Sequence, residues 1–447
     1  MKIKLGYLFI TMLLGCSPSK SQNSVDLAGK QEKEPAGGPT KQELQRALGR
    51  GYVSSGSLRR DCIGRLTFDL DGAIQWPTEV GQDSSYIFSS LFSENIFDQG
   101  DGIAVQDVKI AVIGTSSPTT RRRLRDGMPW EQIVQNKERI EDSLVYLKRL
   151  RLEKIQSRRT LRDIEREESL IKSWQNSISE TQGRFEVVSF PFPESEGYWT
   201  SEDTNRDGVA SHSIFRAYLT RGNFVYVFES IAALTEQMTK KRHMEKFVEV
   251  VSRFRPRQPG EIPTELGVCF PHGFISDDGK MITDIKQSLR WVDAPGVIYS
   301  IQTGNSTSKN SKNAMIRALG TAAAAKSALA GAGGEKAVLL HQVGPVLTKI
   351  GALPASQGGF GLRLSKAGQA PFEVYDVFTG YSGWRGTAVL PFILIEMSTR
   401  TANQAPELTQ NPPPFKQSMD RLETLLKSTR LRPTTPSMPE LAELNEK

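Results

Sequence analysis

Residues 236–263 read EQMTKKRHMEKFVEVVSRFRPRQPGEIP, and this stretch decides how the chain is divided. Its apolar residues recur every three or four positions, a spacing that predicts an amphipathic helix over residues 236–254. Residues 255–263 then contain three prolines and a glycine, a composition typical of a break between folded units. The predicted order is an N-terminal domain over residues 59–256, a linker over residues 257–263, a C-terminal domain over residues 264–434 and a disordered tail over residues 435–447.

A sequence motif similar to the one at the end of this helix occurs again near the C-terminus. A second predicted helix, at about residues 415–427, runs into STRLRP at residues 428–433, much as the first runs into SRFRP at residues 252–256. Each half also opens with a predicted strand that carries a cysteine, Cys62 or Cys269. We interpret the halves as two related α+β domains, each an antiparallel sheet with packed helices. Coincidence at one short motif is the alternative.

The first half combines short strand patterns with one long helical region. Residues 130–182 contain neither glycine nor proline, and their apolar spacing predicts one long amphipathic helix or a helical hairpin bent near Gln156 and Ser157. A short helix is also expected at residues 41–48. Strand patterns occur at residues 66–68, 74–76, 103–113, 185–190, 214–219 and 224–229.

The second half is expected to contain two helices between its strands. One is the alanine-rich stretch over residues 314–330, and the other covers residues 335–350 with a kink at Gly344 and Pro345. Strand patterns occur at residues 268–275, 289–292, 297–303, 361–364, 373–378 and 389–397.

The N-terminus has the parts of a lipoprotein signal peptide. Lys2 and Lys4 precede an uncharged apolar run over residues 5–14, which is too short to cross a bilayer as a stable helix. Residues 13–16 (LLGC) then match a lipobox, so residues 1–15 are predicted to be removed and Cys16 to be acylated. An ordinary signal peptide with an incidental cysteine is the alternative.

The residues after the cleavage site predict a tether. Residues 16–58 begin with the lipidated cysteine and continue as a largely polar, flexible segment. We therefore expect a periplasmic protein that is anchored to a membrane by lipid. Ser17, in place of an aspartate at this position, favours the outer membrane.

Composition and charge narrow the class of protein further. The chain has 447 residues, of which 38% are hydrophobic, with 20 Phe and 6 Trp, enough for buried cores. Its formal net charge is +7, and the basic residues concentrate in residues 121–125 and 148–166. An exported protein is not expected to bind nucleic acid. The basic segments are interpreted as solvated helix faces or as surfaces that meet lipid head groups or an acidic protein.

The cysteine count predicts one disulfide. With Cys16 acylated, Cys62 and Cys269 are the remaining thiols in an oxidising compartment. We expect them to be bonded to each other; two buried free thiols are the alternative.

No constellation of residues predicts catalysis. The sequence GYSG at residues 380–383 resembles a nucleophile elbow, but Trp384 stands where that motif needs glycine, so a tight hairpin turn is the better interpretation. The sequence GTAAAAKS at residues 320–327 lacks the glycine that a phosphate-binding loop has before its lysine. The chain is therefore predicted not to be an enzyme and to need no cofactor.

Metal binding is not predicted either. The loop at residues 203–208 (DTNRDG) has the opening spacing of a calcium loop, but Ile214 stands where the bidentate glutamate belongs. The four histidines never occur at metal-ligand spacing, and we interpret them as structural or surface residues: His212, His243, His272 and His341.

Several strings resemble the type VI secretion lipase-immunity lipoproteins of the class-four type. They occur in the order typical of that family, behind a lipobox, and extend over nearly the whole mature chain. They are residues 59–71 (RRDCIGRLTFDLD), 267–269 (GVC), 295–304 (PGVIYSIQTG), 380–383 (GYSG), 406–408 (PEL), 411–413 (NPP) and 428–433 (STRLRP).

The resemblance implies an α+β periplasmic protein that binds and inhibits a phospholipase toxin delivered by type VI secretion. We expect the contact surface to include both halves around residues 255–263. Tyr381, Trp384 and Arg385 are candidate anchors for the toxin, since aromatic and arginine side chains dominate such interfaces. Residues 121–125 are candidates for steering an acidic toxin. The alternatives are a periplasmic binding module or envelope scaffold without a toxin partner, and a hydrolase whose site is not visible in the sequence.

Overall fold

The structure is a computed structural model, and its described residues belong to one compact unit. They are residues 40–49, 51–54, 56, 58–77, 101–114, 128–152, 157–202, 211–279, 281–305, 336–365, 370–384, 389–400 and 408–432. Several predicted features lie outside these residues: the lipidation site Cys16, residues 121–125, the candidate calcium loop, the alanine-rich helix, Arg385 and the tail at residues 435–447.

The described residues form nineteen strands and five helices, numbered in chain order. The strands are β1 Arg59–Ile63, β2 Leu66–Leu70, β3 Ile74–Gln75, β4 Gly102–Val105, β5 Val108–Gly114, β6 Phe185–Val187, β7 Ser195–Glu202, β8 His212–Arg221, β9 Phe224–Ala233, β10 Phe254–Pro256, β11 Gly267–Phe270, β12 Gly273–Ser276, β13 Thr283–Trp291, β14 Val297–Gly304, β15 Lys336–Ile350, β16 Leu353–Ser365, β17 Phe372–Tyr381, β18 Phe392–Thr399 and β19 Arg430–Leu431. The helices are α1 Lys41–Ala47, α2 Pro129–Arg151, α3 Arg158–Arg184, α4 Lys240–Ser252 and α5 Phe415–Ser428.

One large antiparallel sheet contains strands from both halves of the chain. Its order is β15-β16-β17-β18-β14-β13-β4-β5-β9-β8-β7-β6, with β3 beside β13. The halves meet where β13 pairs with β4, at Ile285 opposite Ile103. The predicted α+β fold class is confirmed. The predicted domain boundary at residues 257–263 stays a prediction. Strands from both sides of this boundary belong to the same sheet.

The helices begin at residues that favour helix starts. Thr40 and Glu43 form a capping box at α1, and the side chains of Ser157 and Thr239 accept backbone hydrogen bonds at the starts of α3 and α4. The long helical region is therefore a hairpin, α2 and α3, and its second helix starts at the predicted bend. In the described part of the chain no helix is long and apolar enough to span a membrane.

The hydrophobic core lies between the sheet and α4 and α5. Phe247 of α4 packs against Phe215 of β8, with ring centroids 5.9 Å apart. Phe415 of α5 packs against Tyr375 of β17 at 5.4 Å. Each half thus covers its part of the sheet with the amphipathic helix that its sequence predicts.

Two small sheets exchange strands between the halves. The hairpin β1-β2 opens the first half, and its third strand is β19, at the end of the second half. The hairpin β11-β12 opens the second half, and its third strand is β10, which follows α4 of the first half. The motif that follows α4 therefore contains β10, which pairs with the hairpin of the second half. The similar motif after α5 contains β19, which pairs with the hairpin of the first half.

The predicted helix over residues 335–350 is wrong, because this segment is the strand β15, paired with β16 over most of its length. The three leucines of this segment favour helix, but Val338, Val343 and Val346 are β-branched and the pairing with β16 satisfies their backbone groups. Gly344, at a φ of 58°, lies in a register shift between Val343 and Val346, and a Cβ there would lie 2.5 Å from the carbonyl oxygen of Gln357. Glycine and proline therefore mark a bulge here and not a helix kink.

The single strand predicted over residues 103–113 is two strands. β4 and β5 form a hairpin that turns at Gln106 and Asp107, and Gln106 adopts a φ of 54°. The apolar alternation breaks here, because Val105 and Val108 are three positions apart with two polar residues between them, and this break marks the reversal.

Candidate interaction surfaces

The two opening hairpins are joined where β1 meets β11. Cys62 and Cys269 form a disulfide, with their Cα atoms 5.7 Å apart and 207 positions apart in sequence. Beside it the backbone N–H of Gly64 donates to the carbonyl of Cys269 at 2.7 Å, and the N–H of Cys269 donates back at 2.8 Å. The bond is buried beneath Phe274 and Ile262. It holds together two segments that open the two halves.

Arg257, in the predicted linker, is buried and crosses this junction. Its Nη1 donates to Oδ1 of Asp61 and to the carbonyl of Glu261, each at 2.8 Å, and its Nη2 donates to the carbonyl of Phe270 at 3.2 Å. Side chains of Arg257 and Asp61 are each 1% exposed. The buried side chain of Arg257 therefore holds the start of the linker in place, so this part of the linker is not a free hinge.

Arg432 makes the reciprocal contacts at the other end of the chain. Its Nη1 donates to the carbonyl of Pro263 at 3.2 Å, and its Nη2 donates to the carbonyl of Gly267. Burial and the neighbouring Arg65 lower the pKa of Arg432 to about 10, so the guanidinium remains charged at neutral pH. Its backbone N–H donates to the carbonyl of Arg65, as that of Arg257 does to His272.

A third buried arginine completes the junction. Arg65, in the turn of the first hairpin, forms an ion pair with Asp277, just after the second hairpin, with Nη2 and Oδ2 2.6 Å apart. Both side chains are buried. Together the three arginines and the disulfide fix the position of one half relative to the other, so any surface that spans the junction is presented in one geometry.

The candidate anchors Tyr381 and Trp384 lie at the end of β17 and in the turn after it. Both are partly buried against the main core, and burial raises the pKa of the Tyr381 hydroxyl. Nε1 of Trp384 donates to Oε1 of Glu43 at 3.4 Å, which attaches α1 to this turn. Gly383 turns the chain at a φ of 70°, as the hairpin interpretation of residues 380–383 requires. The role of Tyr381, Trp384 and Arg385 in partner binding stays a prediction.

His243 lies between two serine hydroxyls in the core. Its Nδ1 and Nε2 are each 2.9 Å from an oxygen, that of Ser213 and that of Ser230 respectively. Burial lowers its pKa by disfavouring the imidazolium form. These hydrogen bonds connect α4 to β8 and β9, so the role of His243 is structural.

Two further histidines stack on aromatic rings: His272 stacks on Phe224 and His341 on Phe415. Within the described ranges no group of three or more His, Cys, Asp or Glu residues could hold a metal ion.

The helical hairpin forms an arm that is attached to the sheet at its base. Trp130 near the start of α2 and Phe185 after α3 both contact Tyr198 of β7, with ring centroids 6.0 and 6.4 Å apart. Because α2 has 23 residues, its other end lies about 35 Å from this base. Leu147 and Ile171 are buried between the helices, and Ser143 donates to Glu167 at 2.8 Å.

The far end of the arm exposes aliphatic side chains. Leu144, Val145, Leu152 and Leu161 are 52%, 72%, 74% and 47% exposed. Residues 144–147 (LVYL) are four consecutive apolar residues, which one helix face cannot bury together. This run of four apolar residues is the feature of the sequence that indicates an exposed aliphatic surface. The helical spacing of apolar residues does not indicate it.

The outer edge of the large sheet also exposes aliphatic side chains. β15 is the last strand at this edge, and its Val338, Leu339, Val346 and Leu347 are exposed. Pro345 lacks a backbone donor, and a bulge lies beside it, features that restrict pairing of an edge with another strand.

Comparison with known protein families agrees with the resemblance over the second half of the chain. Residues 261–434 match the family described as Tle cognate immunity protein 4 C-terminal domain. The crystal structure of the Tle4-Tli4 complex contains a similar chain, with 17% identity, a TM-score of 0.49, and coverage of 86% of this chain and 100% of that one. Immunity protein TplEi of the type VI secretion system from Pseudomonas aeruginosa, complexed with "L" peptide, is similar with 16% identity, a TM-score of 0.45, and coverage of 85% and 100%. Its apo structure has 16% identity, a TM-score of 0.46, and coverage of 85% and 98%. No curated protein matches the sequence.

Proposed function

Because residues 261–434 match the Tle cognate immunity protein 4 family, we propose that this protein binds a phospholipase toxin directly and blocks its activity. In this proposal the chain is an immunity protein of a type VI secretion phospholipase effector. The observation that carries the proposal is the family match, which extends from the predicted linker to the end of the second half. In this proposal the protein acts by binding alone, without catalytic chemistry of its own.

The proposed contact surface extends over both halves around residues 257–263. The disulfide and the buried pair of Arg257 and Asp61 support it, because they hold the two halves in one relative position. A preformed surface loses less conformational entropy on binding than two mobile domains would lose. A stable inhibitor also needs to bury roughly 1,200–2,000 Å² or more, which is easier across two halves than on one.

The proposed place of action is the periplasm, at the surface of a membrane. In this proposal Cys16 carries the acyl chains, and the tether joins it to the folded part. In this proposal residues 17–39, the part of the tether before α1, act as a polar coil of about 25 residues, whose r.m.s. span is roughly 25–30 Å, so the inhibitor stays close to the membrane that the toxin attacks. Such confinement raises the effective concentration of inhibitor where substrate and toxin meet.

Direct inhibition is tested with purified proteins. The chain from Ser17 onward, added to the cognate phospholipase at equal molar amounts, is expected to abolish hydrolysis of lipid and to elute with the toxin as one complex. Full lipase activity at molar excess, with the two proteins eluting separately from a sizing column, would rule out direct inhibition of that toxin.

The two-half surface is tested at an exposed residue of the linker. Gln258→Arg places a long charged side chain in the middle of the proposed surface, and we expect it to weaken inhibition on the order of tenfold or more. The matched control is Gln417→Arg, the same change at an exposed position of α5. Equal inhibition by both variants and the unchanged chain would move the contact surface elsewhere and leave the immunity role standing.

The lipid anchor gives a separate prediction. Cys16→Ser removes the thiol that is acylated, so the protein is expected to stay unprocessed or to move from the membrane fraction to the soluble periplasmic fraction. Fractionation and metabolic labelling with a fatty acid measure this. Unchanged membrane association and processing in the variant, and in cells treated with globomycin, would contradict the lipoprotein assignment.

A further inference from the structure

We propose that the tip of the helical arm docks on an anionic phospholipid surface. The arm tip is defined as residues 144–152 of α2 and its C-cap together with residues 157–162 at the start of α3. This inference rests on the membrane location in the proposed function and does not depend on toxin binding.

The described residues of the arm tip form a basic surface. Six of its side chains are Lys or Arg and none is Asp or Glu, and all six are exposed: Lys148, Arg149, Arg151, Arg158, Arg159 and Arg162. Arg151 forms an ion pair with Glu168 at 2.6 Å, outside the tip. Basic residues near an anionic membrane surface are each attracted by about 1 kcal/mol.

Aliphatic side chains lie among these charges. Leu144 and Leu152 are exposed and, with Leu147 and Ile171, line a hollow of about 390 Å³ between the two helices. Lys148, Arg151 and the carboxylate of Glu168, which pairs with Arg151, also line it. Exposed aliphatic groups flanked by Lys and Arg are the composition of helices that insert among lipid head groups, where apolar atoms reach about 5–10 Å into the interface.

The distribution of charge favours lipid over an acidic protein. Lys148 and Arg151 lie on one side of α2, beside the hollow, and Arg149 lies on another side, because successive residues are about 100° apart around a helix. A protein partner offers its acidic groups in one fixed arrangement, whereas head groups surround an inserted tip from all sides. The length of the arm, about 35 Å from Trp130 to its tip, lets the tip reach the membrane while the sheet remains above it.

The test is vesicle binding by the chain from Ser17 onward, which keeps every described residue and carries no acyl chain. We expect it to sediment with vesicles containing about one third phosphatidylglycerol at about 0.05 M salt, and to be released at about 0.5 M salt. Changing Arg149, Arg158 and Arg159 to Gln is expected to lower the partition coefficient on the order of 100-fold. Leu144→Ser with Leu152→Ser is expected to lower it further.

The matched control removes the same charge from the shaft of the same helices. Changing Lys137, Arg139 and Lys172, which are exposed, to Gln is expected to lower partitioning much less. Circular dichroism and melting temperature check that each variant is folded. The proposal is overturned by equal losses in tip and shaft variants, by equal binding to pure phosphatidylcholine, or by unchanged binding of the tip variant. Loss of toxin inhibition in a tip variant with no vesicle binding by the unchanged chain would assign the tip to a protein partner instead.

Discussion

Replacing Arg257 by alanine is expected to lower the free energy of unfolding by about 3–5 kcal/mol, the range observed when one member of a buried ion pair is removed. The change leaves the carboxylate of Asp61 buried without its guanidinium partner, which lies 2.8 Å away in the intact protein. It also leaves the carbonyls of Glu261 and Phe270 without the hydrogen bonds that Arg257 donates. Urea unfolding followed by tryptophan fluorescence measures the loss.

A double-mutant cycle separates this pair from general damage to the core. Asp61→Ala alone should also be strongly destabilising, because it buries an unpaired guanidinium, and the double variant should lose less than the sum of the two single losses. The control is Lys427→Ala, which breaks an exposed pair with Glu423 on α5 and should cost about 0.5 kcal/mol or less. Additive losses at Arg257 and Asp61 would show that the two side chains are not coupled.

Removing the Cys62–Cys269 disulfide is expected to have the second large effect. The bond closes a loop of 207 residues, for which the chain-entropy estimate is about 5 kcal/mol, an upper value because measured effects are often smaller. Cys62→Ala combined with Cys269→Ala should therefore lower the melting temperature strongly. Mass mapping of peptides under non-reducing conditions checks that the bond is present in the purified protein.

The alanine variant loses both the bond and the packing of the two sulfur atoms. Reducing the disulfide of the unchanged protein removes the bond alone and is therefore the control. If the bond itself stabilises the fold, the reduced chain and the double variant should lose similar amounts of stability. Alkylation of both cysteines after denaturation without reductant would show instead that they are buried free thiols.

The amphipathic helices could be predicted from the sequence because their information is local. The spacing of apolar residues before Phe254 and after Phe415 located α4 and α5 closely, and the absence of glycine and proline located the arm. The bend near Ser157 was predictable because serine is a favoured helix N-cap. The Cys62–Cys269 pairing could be inferred from the number of cysteines and the expected compartment, without geometry.

The strand exchange could not be predicted, because pairing between distant strands leaves no periodic pattern. No strand was predicted at residues 430–431, and only the folded chain places Leu431 opposite Leu66. The same reason explains the error at β15, where propensity favoured helix and pairing with β16 decided for strand. Arg257 was assigned to an open linker because a buried arginine and an exposed one look alike in sequence.

The candidate surfaces were predicted in part. Sequence patterns pointed to the basic residues of the arm but did not show that Leu144 and Leu152 lie exposed among them. Tyr381 and Trp384 were predicted as partner-binding anchors, and the structure packs both partly against the core, with Trp384 also in contact with Glu43. Aromatic residues in a glycine-rich turn are ambiguous in this respect, since the same composition serves to bind a partner or to fasten a neighbouring helix.

The pairing of β19 with β2 has a consequence for the order in which the protein is made. The ribosome completes β1 and β2 early, but their third strand is synthesised some 360 residues later, as the hydrogen bond between Asp69 and Ser428 illustrates with its separation of 359 positions. The first small sheet can therefore be completed by β19 only after the chain has been synthesised. Pairing between such distant strands slows folding. A premature stop codon before Arg430 would remove both this strand and Arg432, so a lesion at the end of the gene would leave the beginning of the protein with an open sheet edge. Nascent or truncated chains with that edge uncovered are expected to be the forms that proteases and chaperones recognise first.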